Sequence, residues 1–351
     1  MALKVLWYLS FADGTYPWCP GGLYPIDFER YRTLAQTIEQ GGFPHPRKHD
    51  DRRFNKPMKK TTYALPLTLL SLLSITQQTQ AAEADPGDYI AAPPGTDLGL
   101  LYYQHSSADT YRDASGNKVD GSNRFRSDIG ILRYVHFMEV FGYTIDPQVV
   151  LPFGQLHDAK IGGQSIDGNS GIGDVQLTST VWLVNNPQAR RWFGISPFIV
   201  APSGTYDKHE AFNLGENRWK GIVQGGFVQG FGQYWSWDLI GDITWYGKNT
   251  DAGGGDQTLK QDRSYQVINW LSYHPTDTSH VSIGYSHTWG GAQQLDGVDN
   301  GTRTRVDQWR ALYATNISAK DQVQVTLARD LNVRGGFERD YQLNLRLAHV
   351  F

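Results

Sequence analysis

The chain ends inside a strand. Tyr341, Leu343, Leu345, Leu347, His349 and Phe351 fall on one face of it, and Gln342, Asn344, Arg346, Ala348 and Val350 on the other. Side chains of an extended backbone point alternately to opposite sides, so this stretch must satisfy an apolar and a polar environment at once. Residues 235–246 obey the same rule, with Trp235, Trp237, Leu239, Ile243 and Trp245 opposed to Ser236, Asp238, Asp242 and Thr244. From Asp85 onward such pieces recur, each about ten residues long, the length that crosses a bilayer as a tilted strand.

The connections between pieces alternate in length. Short turns hold Phe141-Gly142, Asn185-Asn186-Pro187, Phe231-Gly232-Gln233, Pro275-Thr276-Asp277 and Ser318-Ala319-Lys320-Asp321. Long loops rich in Gly, Asp and Asn cover 108–122, 155–171, 204–217, 248–261, 291–304 and 331–338. Twelve strands, six long loops and five short turns follow. Short turns at one end and long loops at the other are the layout of an all-β, transmembrane, antiparallel up-and-down β-barrel, with periplasmic turns and extracellular loops. Lipid outside and a wet lumen inside explain both faces of each strand. Strands 174–183, 281–289, 306–316 and 322–329 fit this scheme. Strands 97–107 and 125–136 depart from it, because Leu100-Leu101-Tyr102-Tyr103 and Ile131-Leu132 are apolar on both faces. An apolar lumen or a bulge would account for either.

Composition agrees with this reading and excludes others. Gly (38), Tyr (19), Phe (15) and Trp (11) are abundant, while only 19% of residues are charged. A net charge of −3 offers no basic field to a nucleic acid. The single cysteine, Cys19, lies upstream of the export signal, so the exported part has no disulfide and no Cys-based metal or redox site. No catalytic, cofactor-binding or metal-binding set is expected.

That export signal begins internally. Met58-Lys59-Lys60 is a basic start, and Ala64 to Ile75 is an apolar stretch too short to span a bilayer as a helix. Small residues follow, and Thr79-Gln80-Ala81 or Ala82-Glu83-Ala84 would suit the signal peptidase. The expected organisation is an upstream remnant (1–57), a signal peptide (58–84), a periplasmic or luminal segment (85–96) and the barrel (97–351). The expected location is the outer membrane of a Gram-negative bacterium, after cleavage near Ala81 or Ala84.

The upstream segment has its own pattern. Leu3 to Tyr8 is strand-like, Asp13 to Trp18 is a loop, and Ile26 to Gly41 has helical spacing with Phe28, Tyr31, Leu34, Ala35 and Ile38 on one face. Residues 1–43 resemble the truncated start of a luciferase-like flavin monooxygenase of the alkanesulfonate type. Such a flavin site needs all eight strands of its barrel. A single unit cannot bury its apolar face. No flavin chemistry is expected here.

An internal match singles out prolines. Ile145-Asp146-Pro147 to Pro152-Phe153-Gly154 reappears as Ile195-Ser196-Pro197 to Pro202-Ser203-Gly204. Proline has no N–H to give to a closed ladder. Pro152 and Pro202 can simply end strands at the outer rim. Pro147 and Pro197 are candidates for a lateral opening in the wall.

Residues 85–351 resemble the outer-membrane β-barrel family linked to the meta-cleavage (MetA) pathway of phenol degradation, usually described as transporters. Tyr89 to Thr96 leading into Leu100 to His105 carry the resemblance, with Arg133-Tyr134-Val135, Pro147 to Pro152, Gly171 to Val175 and Trp182-Leu183. It implies uptake of aromatic or other small hydrophobic compounds, and it assigns no binding residues.

The leading expectation is therefore passive transport. The residues expected to line the lumen are Asp128, Asp174, Asp238, Asp242, Arg310 and Arg346, either as a charged cross-lumen network or as interior packing. Apolar surfaces near Tyr102, Tyr103, Phe153 and Phe198 are candidates to hold a guest. The expected partners are membrane lipid, a small hydrophobic substrate, and the barrel-assembly machinery through the strand ending at Phe351. The alternatives are a structural or adhesive barrel, and a lipid hydrolase using His105 and Ser107, whose spacing places both on one strand face.

Overall fold

The computed structural model describes residues 83–254, 257–300 and 302–351. The upstream segment and the export signal up to residue 82 lie outside the described residues.

Twelve long strands form the wall. They are β1 (Asp97–Ala108), β2 (Arg124–His136), β3 (Tyr143–Ile161), β4 (Gln176–Asn186), β5 (Arg191–Val200) and β6 (Lys220–Phe231). Then come β7 (Trp235–Tyr246), β8 (Ser264–Thr276), β9 (Ser279–Gly290), β10 (Thr304–Asn316), β11 (Asp321–Arg334) and β12 (Tyr341–Val350). Each pairs antiparallel with its neighbours in sequence. β1 also pairs with β12, Leu98 opposite Val350 through Ser107 opposite Tyr341, which closes the barrel. Closure leaves no unpaired edge, the condition for a sheet to sit in lipid.

Parity decides what each strand exposes. Leu132, Leu177, Ile199, Leu239, Ile283 and Leu327 are exposed on the outer face. Gln104, Gln148, Thr178, Gln224, Ser272 and Gln324, at the opposite parity, are buried. At the loop end, Thr110–Arg112 pairs with Gly336–Glu338. Asn249–Ala252, Gln257–Gln261, Gln293–Leu295 and Val298–Asp299 form a small separate sheet there.

The doubly apolar strands have a specific cause. Residues 83–96 lie against the inward faces of the wall. Ala84 and Tyr89 are buried in one cluster with Leu100, Val135, Trp182 and Trp270, and Ala91, Ala92, Leu98 and Tyr102 pack against it. Trp182 Nε1 donates to the Tyr89 carbonyl at 2.8 Å, and Trp270 Nε1 to the Ala84 carbonyl at 3.1 Å. The inner faces of β1 and β2 are apolar because they meet protein there rather than water.

One boundary differs from the sequence expectation. Strand β3 runs through Pro152 to Ile161, so Pro152 does not end a strand. Pro152 stands opposite Ile131, and its carbonyl accepts the Gly173 N–H at 2.8 Å. A proline needs no donor role in such a place. Pro202 does lie beyond its strand, which ends at Val200.

Candidate functional site

At the loop end the wall and the loops line a partly open cavity of about 170 Å³. Ile129 and Ile131 of β2 and Leu156 of β3 face it, with Phe125, Phe212 and Phe337. Phe125 stacks on Phe337 with centroids 5.2 Å apart, and Phe212 lies 5.2 Å from Phe125. Phe212 comes from the β5–β6 loop and Phe337 from the β11–β12 loop, so the loops cap a lining that comes mostly from the wall.

Asp174, Glu216, Lys220 and Arg339 give the same cavity a polar side. Asp174 accepts the N–H groups of Gly204 and Glu216, both at 3.0 Å. Burial pushes this carboxyl above its usual range, against the two N–H groups that favour its charge. Glu216 takes Lys220 Nζ and Arg218 Nη2, each at 2.6 Å. Its burial works upward, but the Lys220 and Arg218 charges outweigh it and hold the carboxyl at about 2. Arg339 is held by Asp330 at 3.1 Å and by Gln342 at 2.7 Å. These charges are tied down in the loop scaffold.

Deeper in the lumen, the wall charges meet the N-terminal segment. Arg346 Nη1 reaches Asp85 and Asp88, both at 3.3 Å, and Arg310 Nη2 reaches Glu83 at 3.0 Å. Arg133, which alternation alone does not single out in an apolar strand, pairs with Asp88 at 3.3 Å. Asp238 accepts the Gly87 N–H at 2.7 Å. Asp242 accepts from Gln224 at 3.3 Å. Arginines and wall aspartates therefore do not span the lumen to each other. The acids of residues 83–88 stand between them and take the arginines.

The two prolines flank one residue. Pro147 of β3 stands opposite Ser179 of β4. On the other side of β4, register places Pro197 of β5 beside the same Ser179, but no ladder pair joins Ser179 or Thr180 to Pro197 or Ser196. The Thr180 N–H goes instead to Asp146 Oδ1 at 2.5 Å. Side chains stitch the seam: Thr178 Oγ1 donates to the Pro197 carbonyl at 2.9 Å, and the Thr180 and Ser196 hydroxyls lie 2.9 Å apart. Tyr89 of the N-terminal segment bonds Ser196 from inside at 3.0 Å. The β5–β6 ladder runs unbroken through Pro197 opposite Val223.

This architecture has relatives. The family model described as "Putative MetA-pathway of phenol degradation" matches residues 108–347. The crystal structure of an outer membrane channel from Pseudomonas putida F1 is 37% identical, with a TM-score of 0.74 over 77% of this chain and 100% of that one. The chain belongs to this family. The KdgM porin is 6% identical over 72% of this chain and 99% of its own, with a TM-score of 0.41. The P. putida toluene transporter TodX is 9% identical over 74% and 90%, also with a TM-score of 0.41. No curated protein matches the chain.

As a member of the phenol-degradation family, the protein is an outer-membrane β-barrel. Two sequence expectations need correction on its wall. Asp128 does not face the lumen. It shares parity with the exposed Leu132 and Tyr134, while Ser127 and Ile129 are buried inward. Its carboxylate is held on the outer face by Tyr103 (2.7 Å), His105 (2.8 Å) and His157 (2.9 Å). For the same reason Tyr103 and Phe153 point outward and leave only Tyr102 and Phe198 on the inner side. An Asp of this kind is stable at the rim because its donors come from its own strand neighbours.

The His105 and Ser107 pairing is not formed. Both imidazole nitrogens are engaged elsewhere, Nδ1 with Asp128 and Nε2 with the Tyr341 hydroxyl at 3.3 Å. The same arrangement recurs without a serine. Tyr285 and His287 bond Asp307, and Tyr134 and His136 bond Asp97. The residues two beyond those histidines are Trp289 and Met138. Tyr-x-His facing an Asp on the next strand is a rim fastening of this barrel, in which carboxylate, imidazole and phenol satisfy one another at the lipid boundary.

Proposed function

We propose that the protein is a passive outer-membrane channel for small hydrophobic compounds about one aromatic ring in size, and that it carries out no chemical step. The carrying observation is the loop-end cavity. Its volume of about 170 Å³ is close to that of an apolar cavity of about 150 Å³ that holds benzene. The aromatic trio Phe125, Phe212 and Phe337 offers edge and face contacts to a ring. Asp174 and Lys220 at the polar side can meet a phenolic hydroxyl.

From the cavity, two features support a sideways exit. Residues 83–96 fill the lumen below, which disfavours a straight aqueous path. The seam between Ser179 and Pro197 is a place within the span where the wall lacks two consecutive ladder pairs. An apolar solute gains at about 25 cal/mol per Å² by passing into lipid rather than back into water. In this reading Pro197 keeps the seam open while Pro147 sits on its far side in the paired β3–β4 ladder. Asp238, Arg310 and Arg346 hold the N-terminal segment, Asp242 holds Gln224, and none of the four touches the substrate. The mature chain is proposed to begin after the export signal, and the strand ending at Phe351 to be the part met by the assembly machinery.

The experiment is uptake of a monocyclic aromatic into proteoliposomes, with conductance measured in parallel. Fast aromatic uptake with little ionic conductance is expected. Replacement of Leu156 by Trp, which fills the cavity, should slow uptake several-fold. Steady large conductance, or uptake indifferent to L156W, would overturn the reading.

A further inference from the structure

The outer face of β9–β11 carries arginines that nothing in the described residues explains. Arg305 of β10 stands opposite Arg334 of β11 in register, and Arg329 of β11 stands opposite Trp309 of β10. All three are exposed. Like charges directly across a strand pair are unfavourable. Other arginines of the loop end are engaged: Arg126 pairs with Asp109 at 2.8 Å, Arg112 with Glu338, and Arg263 lies over the Trp245 ring. Among the described residues Arg305, Arg329 and Arg334 have no ion-pair or hydrogen-bond partner.

The carboxylate beside them on this face is already engaged. Asp307 accepts from Tyr285 (2.8 Å), His287 (2.5 Å) and Asn332 (3.1 Å). It therefore takes none of the three guanidinium groups. The wall beside and below them is apolar and exposed: Leu331 lies between the levels of Arg305 and Arg329, Leu327 and Ile283 lie below Arg329, and Trp289 and Trp309 form a girdle. Trp289 stands directly opposite Arg305. Arg329 lies four residues below the level of Arg305, about 13 Å along the strand, and can extend its head upward past Trp309.

We propose that this face is a binding site for one phosphorylated glycolipid of the outer leaflet, whose phosphate is clamped by Arg305 and Arg329, with Arg334 at the rim, and whose acyl chains lie on Leu327, Leu331 and Ile283. Charge complementarity selects the occupant. Guanidinium groups bind phosphate oxygens in bidentate fashion. An anion placed between Arg305 and Arg334 turns their repulsion into a shared contact. The apolar strip beneath requires that the anion belong to an amphiphile. The proposal needs only that the loop end faces the outer leaflet, and it is independent of what the channel carries.

The test is native mass spectrometry of the delipidated, folded barrel titrated with diphosphoryl lipid A. The wild type should retain one lipid A, and R305Q/R329Q should bind about tenfold more weakly. R124Q/R126Q, whose arginines face Asp109, should bind within about twofold of the wild type. Fully dephosphorylated lipid A should bind the wild type as poorly as lipid A binds R305Q/R329Q. Heat-modifiable gel mobility verifies folding of each variant. If the double variant does not fold, R329Q alone is titrated and should still lose several-fold. Equal retention by wild type and folded arginine variants would overturn the proposal. So would equal displacement of lipid A by phosphatidylglycerol, which would mean that any anionic head suffices.

Discussion

The ring of Tyr89 occupies the space in which a side chain of Gly226 would stand. Gly194 of the neighbouring strand faces the same ring, and its Cβ would fall 3.2 Å from Tyr89 Cδ1. The wall is thinned at two adjacent strands to admit one residue of the N-terminal segment. The phenol is then fixed by Ser196 and Gln224, each at 3.0 Å. Gly226→Val should therefore dislodge Tyr89, costing about 1–3 kcal/mol of docking as an overpacked core does. Limited proteolysis of the N-terminal segment should become faster while the barrel still resists heating in detergent. An unchanged cleavage rate would show that Tyr89 does not anchor the segment.

Facing can be tested on the terminal strand. Leu345 is exposed on the outer face between Tyr103 and Val325, and Asn344 is its inward neighbour. Leu345→Arg should destabilise the barrel by about 2–4 kcal/mol if the site lies near the bilayer midplane. Asn344→Arg should cost much less in the same urea titration in vesicles. Equal costs would contradict the alternation.

The wall was legible because lipid imposes a strict period of two, and twelve strands with alternating connections leave their mark in residues such as Trp235, Trp237 and Leu239. The lumen was less legible. Asp238 and Arg346 show inward parity, but their partners, Gly87 and Asp85, lie in a segment with no period at all. Asp128 misled because a carboxylate at strand parity looks luminal. Its parity with Leu132 and Tyr134 points it outward, and the partners that hold it there, His105 and His157, come from two neighbouring strands that only pairing register brings together. The cavity lining was out of reach for a similar reason, since Phe212 and Phe337 come from separate loops.

Glu216 gives the loop end a defined acid limit. Its folded carboxyl sits at about 2, below the unfolded value of 4.5. A depressed carboxylate stabilises the fold above its unfolded pKa, and this contribution is lost as pH falls through the folded one. The Glu216, Arg218 and Lys220 contacts should hold at pH 5 and above and weaken between about pH 4.5 and 2. Amide exchange in 204–217 should accelerate across that window, after correction for intrinsic rates. In Glu216→Gln the pH-dependent part of this acceleration should be absent.

Maturation can be placed more narrowly by a luminal ion pair. Glu83 bonds Arg310 at 3.0 Å, and the Ala84 carbonyl accepts from Trp270. Cleavage after Ala84 would remove both contacts and leave Arg310 buried without its acid. Cleavage after Ala81 keeps them. N-terminal sequencing of outer-membrane material should therefore begin at Ala82, without residues 1–57. A start at Asp85 would make the Glu83 contact irrelevant to the mature protein.

The seam beside Pro197 supplies the last test. Pro197 has no N–H to give, and Ser179 and Thr180 have no ladder pairs with Pro197 and Ser196. Pro197→Val restores the donor and, on the outer face, adds a β-branched side chain that suits a strand. If the seam is the exit, the added ladder bond should slow amide exchange at Val181 and Ile195, the next pair along. It should also reduce aromatic uptake into proteoliposomes several-fold. Ser196→Trp, which fills the inner side of the same seam, should reduce uptake as well, though by displacing Tyr89 it also disturbs the N-terminal segment. Pro197→Val is the cleaner of the two, because Pro197 faces lipid and touches neither the cavity nor Tyr89. Slower exchange with undiminished uptake would mean that the seam closes without consequence and that the substrate leaves by another route.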